Sequence, residues 1–211
     1  MHSEMLSNKE ITKASYEATA EVFAHRVAEL APLASIEKFI ELLPPHPHII
    51  DIGCGSGRDA VLFTNKGARV LGIDYCENLL EIAKRTAPCA EFHLMDIESI
   101  TLPSLSFDGA WAACSLGHIA KKSFPKVLDK IHFILKEKGC FYLTIKKGEG
   151  EVLEKDTRYE GDFKKFLSLY EEEELKEVLS DACFNILEFT AVLKKNAYQS
   201  HDAFRVFCQK A

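Results

Sequence analysis

Apolar positions along this chain follow two periods, and the change from one to the other divides it. Ser7 to Leu30 opens with a Ser7-x-x-Glu10 capping box and reads as a helix. Ser35 to Leu43 carries Ile36, Phe39, Ile40 and Leu43 at helical spacing, and Pro44, Pro45 and Pro47 end it. From His48 short apolar runs alternate with amphipathic ones. Strands are predicted at Ile49–Ile52, Arg69–Ile73, Glu91–Leu94, Phe107–Cys114 and Cys140–Lys146. Helices are predicted between them at Arg58–Lys66, Glu77–Thr86 and Ser123–Leu135, closed by Gly67, Pro88 and Gly139. The tail adds a helix over Glu171–Ala182 and two strands, Ile186–Leu193 and Ala203–Cys208.

Strands alternating with helices of this length build βαβ units, hence a mainly parallel, doubly wound sheet with helices on both faces. The last two strands are joined by a stretch of about nine residues without a helical pattern. That is too short for a parallel crossover, so they pair antiparallel. The pattern gives one α/β domain over 1–211. Residues 1–45 form a helical cap, 46–146 a core, 147–170 a possible substrate lid, and 171–211 a terminal helix and strand pair.

Composition narrows the function classes. With 47% apolar and 27% charged residues in 211, the chain has the balance of a globular protein with one sizeable core. It shows neither a leader-like N-terminus nor a run of the ~18 apolar residues a membrane span needs, which points to the cytoplasm. Seven cysteines are dispersed with no C-x-x-C, a pattern that fits core thiols and not a disulfide framework or a zinc site. A net charge of −6, with basic pairs only at Lys146-Lys147 and Lys194-Lys195, argues against nucleic acid as partner.

The candidate chemistry centres on IIDIGCGSGRDA, Ile49 to Ala60. A buried strand runs through Gly53-x-Gly55-x-Gly57 into a helix, where glycines admit a tight turn and the helix N-terminus presents free N–H groups. A dinucleotide fingerprint needs glycine three positions after Gly55, and Arg58 stands there instead. No P-loop pattern occurs. The D-x-G-x-G-x-G sequence resembles the first motif of the class I S-adenosylmethionine-dependent methyltransferases, and further landmarks of that family follow in order.

The resemblance implies a Rossmann-like, seven-stranded, mostly parallel sheet with an antiparallel C-terminal strand and an N-terminal helical cap. It implies S-adenosyl-L-methionine as cofactor, held through Asp51, Gly53, Gly55, Gly57 and Arg58 around the glycine loop. Asp74, at a strand end some twenty residues on, is placed to accept the ribose hydroxyls, or else to cap the next helix. Tyr75 would flank the adenine, with Met95 packing on it and Asp96 accepting its amino group. Cys114 ends the fourth strand, on the edge facing cofactor and substrate. His118 is a candidate general base for a hydroxyl acceptor, though it equally suits a helix cap or a cofactor contact. The helix bearing Tyr16, Phe23 and Arg26 resembles one that lies over the cofactor, with Tyr16 and Arg26 near the methionyl carboxylate; it also suits plain packing.

The Lys147–Leu169 stretch is expected to border the acceptor, with Phe163, Phe166 and Tyr170 as an apolar wall. The expected activity is methyl transfer to a small molecule. Its rivals are a nucleotide-dependent oxidoreductase, disfavoured by Arg58, and a non-catalytic cofactor-binding or adaptor protein on the same fold.

Overall fold

The computed structural model describes residues 6–194 and 200–211; Lys195 of the second basic pair lies outside them. Helix α1 (Asn8–Val27) starts at the predicted capping box, where the Ser7 side chain accepts from Glu10 N–H and the Glu10 carboxylate accepts from Ser7 N–H. After α2 (Leu33–Glu41) come β1 (His48–Ile52), α3 (Arg58–Asn65), β2 (Arg69–Asp74), α4 (Glu77–Thr86) and β3 (Glu91–Leu94). Then follow β4 (Phe107–Ala113), α5 (Phe124–Ile134), β5 (Leu135–Lys146), β6 (Glu151–Lys155) and β7 (Lys164–Ser168). The chain closes with α6 (Glu172–Asp181), β8 (Phe184–Val192) and β9 (Ala203–Lys210).

Seven strands form one sheet in the order β3-β2-β1-β4-β5-β9-β8. All neighbours are parallel except β9, which runs antiparallel to both β5 and β8. This is the expected Rossmann-like architecture. The period-two alternation of the strands sorts the core onto two faces. Ile50, Leu71, Ala110, Phe141 and Val206 meet α5 and α6, while Ile49, Val70, Trp111, Tyr142 and Phe207 meet α2 and α3. On the second face Trp111 stacks on Tyr142 with ring centroids 3.7 Å apart, and Phe39 and Phe63 meet Trp111 edge-on. Such offset and edge contacts add to the area these large rings bury.

Two elements depart from expectation. Strand β5 begins at Leu135, directly after α5, because Leu135 already pairs with Phe107 before the register shifts ahead of Gly109. The polar Lys-Glu-Lys-Gly run hides that strand start from a hydropathy reading. The 147–170 stretch is not an irregular lid. It is an antiparallel hairpin, β6 with β7, in a separate two-stranded sheet.

Helix α1 packs Tyr16, Ala20, Phe23 and Ala24 against α4 and lies along this hairpin with a face of small hydroxyls. Thr12 Oγ1 accepts from Phe166 N–H at 2.9 Å, and Ser15 Oγ accepts from Lys164 N–H and donates to Lys164 C=O. The free edge of β7 is thus paired to a helix through side chains, which satisfies backbone groups that would otherwise lie buried and orphaned.

Gly57 forms the N-cap of α3 with φ +77°, and a Cβ there would lie 3.0 Å from Ala83 Cα of α4. Gly57→Ala therefore strains the backbone and wedges two helices apart. It should cost ~1–3 kcal/mol of stability, read as a lower midpoint in urea denaturation; an unchanged midpoint would refute the contact.

Candidate functional site

In an open parallel sheet, ligands lie beyond the carboxyl ends of the strands where the strand order reverses. Here that point falls between β1 and β4. A cavity of about 400 Å³ opens there. Its floor is built where β1 leaves its ladder: Gly53 N–H and Cys54 N–H both donate to Ile73 C=O, at 2.8 and 3.0 Å. Gly53 has φ +71°, and a Cβ on it would sit 2.3 Å from Ser115 Cβ. Ser115 itself donates to Ile52 C=O, so the loops after β1 and β4 are locked together without a side chain between them.

Ten of the thirteen predicted site residues line the cavity: Tyr16, Asp51, Gly53, Gly55, Arg58, Asp74, Tyr75, Asp96, Cys114 and His118. Gly57, Met95 and Arg26 do not. Gly57 serves the α3–α4 contact, and Met95 packs against the core. Arg26 turns to the hairpin, where it donates to Arg158 C=O and lies over the Tyr159 ring. Nor do Phe163, Phe166 and Tyr170 form an apolar wall. Phe163 packs edge-on to Tyr159, Tyr170 packs against Phe124, and Leu167 is the apolar residue of β7 that faces the cavity.

On the β1–β3 side the polar groups are carboxylates. Asp51 is buried, and its Oδ2 has no hydrogen-bond partner among the described residues. Burial, reinforced by the Asp59 and Asp74 charges, raises its pKa well above the usual carboxylate range. Asp74 Oδ2 accepts from Gly55 N–H and Oδ1 from Cys76 N–H, both at 2.9 Å, yet burial still pushes its pKa up. It holds the glycine loop to the start of α4 while remaining on the cavity wall. Asp96 caps the short turn at Ile97–Ser99 through Glu98 N–H, and Lys9 of α1 reaches across to both Asp96 and Glu98.

Arg58 is aimed by a residue the sequence reading passed over. Asp59 grips its guanidinium at 2.7 and 3.0 Å and is itself held by the buried Trp111 indole N–H at 2.9 Å. Cys114, with φ +62°, donates its N–H to Thr144 Oγ1 at 2.8 Å.

His118 follows β4 in a short helical turn over Leu116–His118. Its Nδ1 lies 2.8 Å from Phe166 C=O, which requires a proton on Nδ1. Nε2 therefore accepts, and the Tyr16 hydroxyl donates to it at 3.0 Å. Burial, with Lys165, Lys146 and Arg158 nearby, lowers the His118 pKa to about 4. This imidazole is neutral near pH 7, with both nitrogens engaged.

The hairpin contributes a group of charges that composition did not reveal. Lys165, 3% exposed, lies 2.8 Å from Asp156, and its ammonium sits 3.6 Å from the centre of the Tyr16 ring. Arg158 donates through Nε and Nη2 to both oxygens of Asp156, at 2.7 Å each. Lys146, Glu154 and His201 complete this wall. Placing Lys164-Lys165-Phe166-Leu167-Ser168 in a strand would have revealed Lys165, because alternation sends it to the same face as Leu167. Among the described residues no cluster of His, Cys, Asp or Glu could hold a metal, and no helix is long and apolar enough to cross a membrane.

Comparison with known proteins agrees with this geometry. Residues 49–139 match the family described as Methyltransferase domain. An S-adenosyl-L-methionine-dependent Diels-Alderase of Talaromyces variabilis is 36% identical over 109 residues, 48% of this chain and 37% of that protein. An O-methyltransferase of Penicillium expansum is 34% identical over 116 residues, 51% of this chain and 40% of that protein. The chain spans well under two thirds of the length of these relatives. Among solved structures, a SAM-dependent methyltransferase from Methanosarcina mazei superposes with a TM-score of 0.74 at 23% identity, covering 85% of this chain and 97% of that one. The Burkholderia thailandensis 1,6-didemethyltoxoflavin-N1-methyltransferase, solved with 1,6-didemethyltoxoflavin and S-adenosylhomocysteine, gives 0.73 at 18% identity, covering 100% and 93%. At those identities the structures show the fold alone. The family match is to a methyltransferase domain and is confined to residues 49–139, the stretch that supplies β1 to α5 and, with them, the floor of the cavity.

The half-buried His118 sets an acid limit on stability. Its folded pKa lies below the ordinary 6.5, so the unfolded chain takes the proton first as pH falls. Its contribution is whole above pH 6.5 and is lost towards pH 4, on the order of 3 kcal/mol. Denaturant titrations at pH 7 and 4.5 should show a steeper acid loss in the parent chain than in His118→Gln. Equal slopes, or an NMR-measured His118 pKa near 6.5, would contradict the assignment.

Proposed function

We propose that this chain transfers the methyl group of S-adenosylmethionine to a small-molecule acceptor enclosed between the strand ends, α1 and the β6–β7 hairpin. The observation that carries the reading is the roofed cavity over the methyltransferase motif. Lys9, Tyr16, Phe23, Val27 and Leu30 border it from the N-terminal side, and Asp156, Arg158, Lys165 and Leu167 from the hairpin. Such a space suits a cofactor and a compact acceptor better than a macromolecular surface.

The residues fit the cofactor. Asp51 offers an unpartnered, buried carboxylate oxygen for the methionyl ammonium, and Gly53 and Gly55 expose backbone beside it. Arg58, fixed by Asp59, takes the carboxylate role expected of Arg26. Asp74 keeps lone pairs for the ribose hydroxyls after binding two backbone N–H groups. Tyr75, on the cavity wall, would flank the adenine, and Asp96, steadied by Lys9, would accept from its amino group.

The bound cofactor supplies an activated methyl on a sulfonium, so the protein's work is to position and to exclude water. Phe23 and Tyr16 line the cavity with aromatic rings, which helps to keep water out. His118, neutral with Nδ1 protonated, orients the Tyr16 hydroxyl. Tyr16 is thereby held as one of the polar groups lining the cavity.

Titration calorimetry should detect S-adenosylmethionine and S-adenosylhomocysteine and give no comparable response to NAD. Asp74→Ala should weaken binding roughly ten- to a hundredfold, ~1.5–3 kcal/mol. Release of S-adenosylhomocysteine with any of a set of small acceptors completes the test. Preferential binding of NAD, or tight cofactor binding with no turnover across hydroxyl, amine, thiol and carboxylate acceptors, would count against it.

A further inference from the structure

The cavity is electrically two-sided. Carboxylates gather at the β1–β3 ends, where Asp51, Asp74 and Asp96 line it. The opposite wall, made by the end of β5, the hairpin and the start of β9, carries Lys146, Arg158 and Lys165 against Glu154 and Asp156. Among the described residues three cations face two carboxylates there, so one positive charge is in excess.

Asp156, one of the two carboxylates on that wall, is already taken. Both Asp156 oxygens receive Arg158, and the Lys165 ammonium lies 2.8 Å away. Glu154 has Lys146 at 4.0 Å and His201 at 3.8 Å. A cationic acceptor would meet only Glu154, with Lys146 4.0 Å from it. The His118 ring is neutral and adds no charge.

We propose that the methyl acceptor carries an anionic group, a carboxylate or a phosphate, which docks against Lys146, Arg158 and Lys165. The inference rests on the methyl-transfer reading and adds the acceptor's chemical class. Burying cations costs free energy unless anions compensate, and here compensation is one charge short. The strain is visible at Lys165, whose pKa falls to about 8 through burial and the neighbouring Arg158. Around that ammonium stand Tyr16 from α1, Asp156, Arg158 and Tyr159 from the hairpin, and Lys146 from β5. An arriving anion supplies the missing charge, and guanidinium and ammonium together give charge-assisted donors at both fixed and adjustable angles.

Bracing of α1 accounts for Lys165 on the Tyr16 ring and for its pair with Asp156. It does not account for Arg158 and Lys146 also lining the space where an acceptor must lie.

Calorimetry on the full chain saturated with S-adenosylhomocysteine tests this with benzoate, phenyl phosphate, benzamide and benzylamine. One of the two anions should bind at least about tenfold tighter than benzamide, with benzylamine weakest. The tighter anion identifies the group as carboxylate or phosphate. Arg158→Gln and Lys146→Met should each reduce that preference about fivefold or more, and Lys165→Arg should preserve it where Lys165→Met abolishes it. The Arg158 and Lys146 variants keep the test decisive if Lys165→Met fails to fold. Benzylamine or benzamide binding as tightly as both anions, no binding by either anion, or variants that leave the preference unchanged would overturn the proposal. If S-adenosylhomocysteine itself does not bind, the methyl-transfer reading falls and takes this inference with it. Normal cofactor binding without anion preference overturns the inference alone.

Discussion

The site depends on how β1 is released from its ladder. At Ile52 the strand ends, and the next two N–H groups turn to a single carbonyl, Ile73 of β2. That leaves Gly53 pressed on Ser115, with no room for a side chain. Because Ser115 is tied back to Ile52 C=O, the loops after β1 and β4 cannot drift apart. Asp51, Gly55 and Arg58 on one side, and Cys114 and His118 on the other, take their positions from this one contact. Asp74 continues the same logic, fastening Gly55 to the entry of α4. A glycine here is a steric requirement, and the motif's spacing is its record in the sequence.

The roof is assembled by different physics. The floor is apolar packing between strands and helices, but α1 meets the hairpin through Thr12 and Ser15, whose hydroxyls complete the edge of β7. Hydrogen bonds of this kind contribute modestly each, yet leaving the β7 amides buried and unpaired would cost more. The two segments outside the family-matched core therefore form one unit across the cavity. Tyr16 joins that unit to the floor, since its hydroxyl reaches His118 and its ring carries Lys165.

This difference explains what could be read from the sequence. Elements with strict apolar periods were legible to within a residue or two: α4 over Glu77–Thr86 and β3 over Glu91–Leu94 coincide with expectation. So did the glycine loop and the carboxylates at successive strand ends, because backbone geometry and chain order determine them. The failures lie where polar groups do the structural work. Strand β5 starts inside a charged run because its first pair is set by backbone bonding to Phe107. The hairpin passed as a loop because charged and aromatic residues mask its alternation. Arg26 was assigned to the cofactor on helix position, but Arg158 C=O and the Tyr159 ring, contributed by the undetected hairpin, draw it away. Asp59 was missed because its partner, Trp111, is distant in sequence and adjacent only across the sheet.

Charge placement links floor and roof. Burial, first of all, raises the pKa values of Asp51 and Asp74 on the floor, and Asp51 is also pushed up by the neighbouring Asp59 and Asp74 charges. The hairpin wall shows the reverse, with burial and then the neighbouring Arg158 lowering the pKa of Lys165 despite its pair with Asp156. Neither imbalance serves packing, since an apolar residue of similar volume is often no less stabilising than a buried ion pair. Both make sense when the cavity holds two bound molecules whose charges run opposite to the walls they touch. Such an arrangement also sets an anionic acceptor beside a sulfonium, where their attraction favours the approach that methyl transfer requires. On the proposed reading, recognition of the acceptor belongs to the segments outside the shared core, and the core is left to hold the methyl donor.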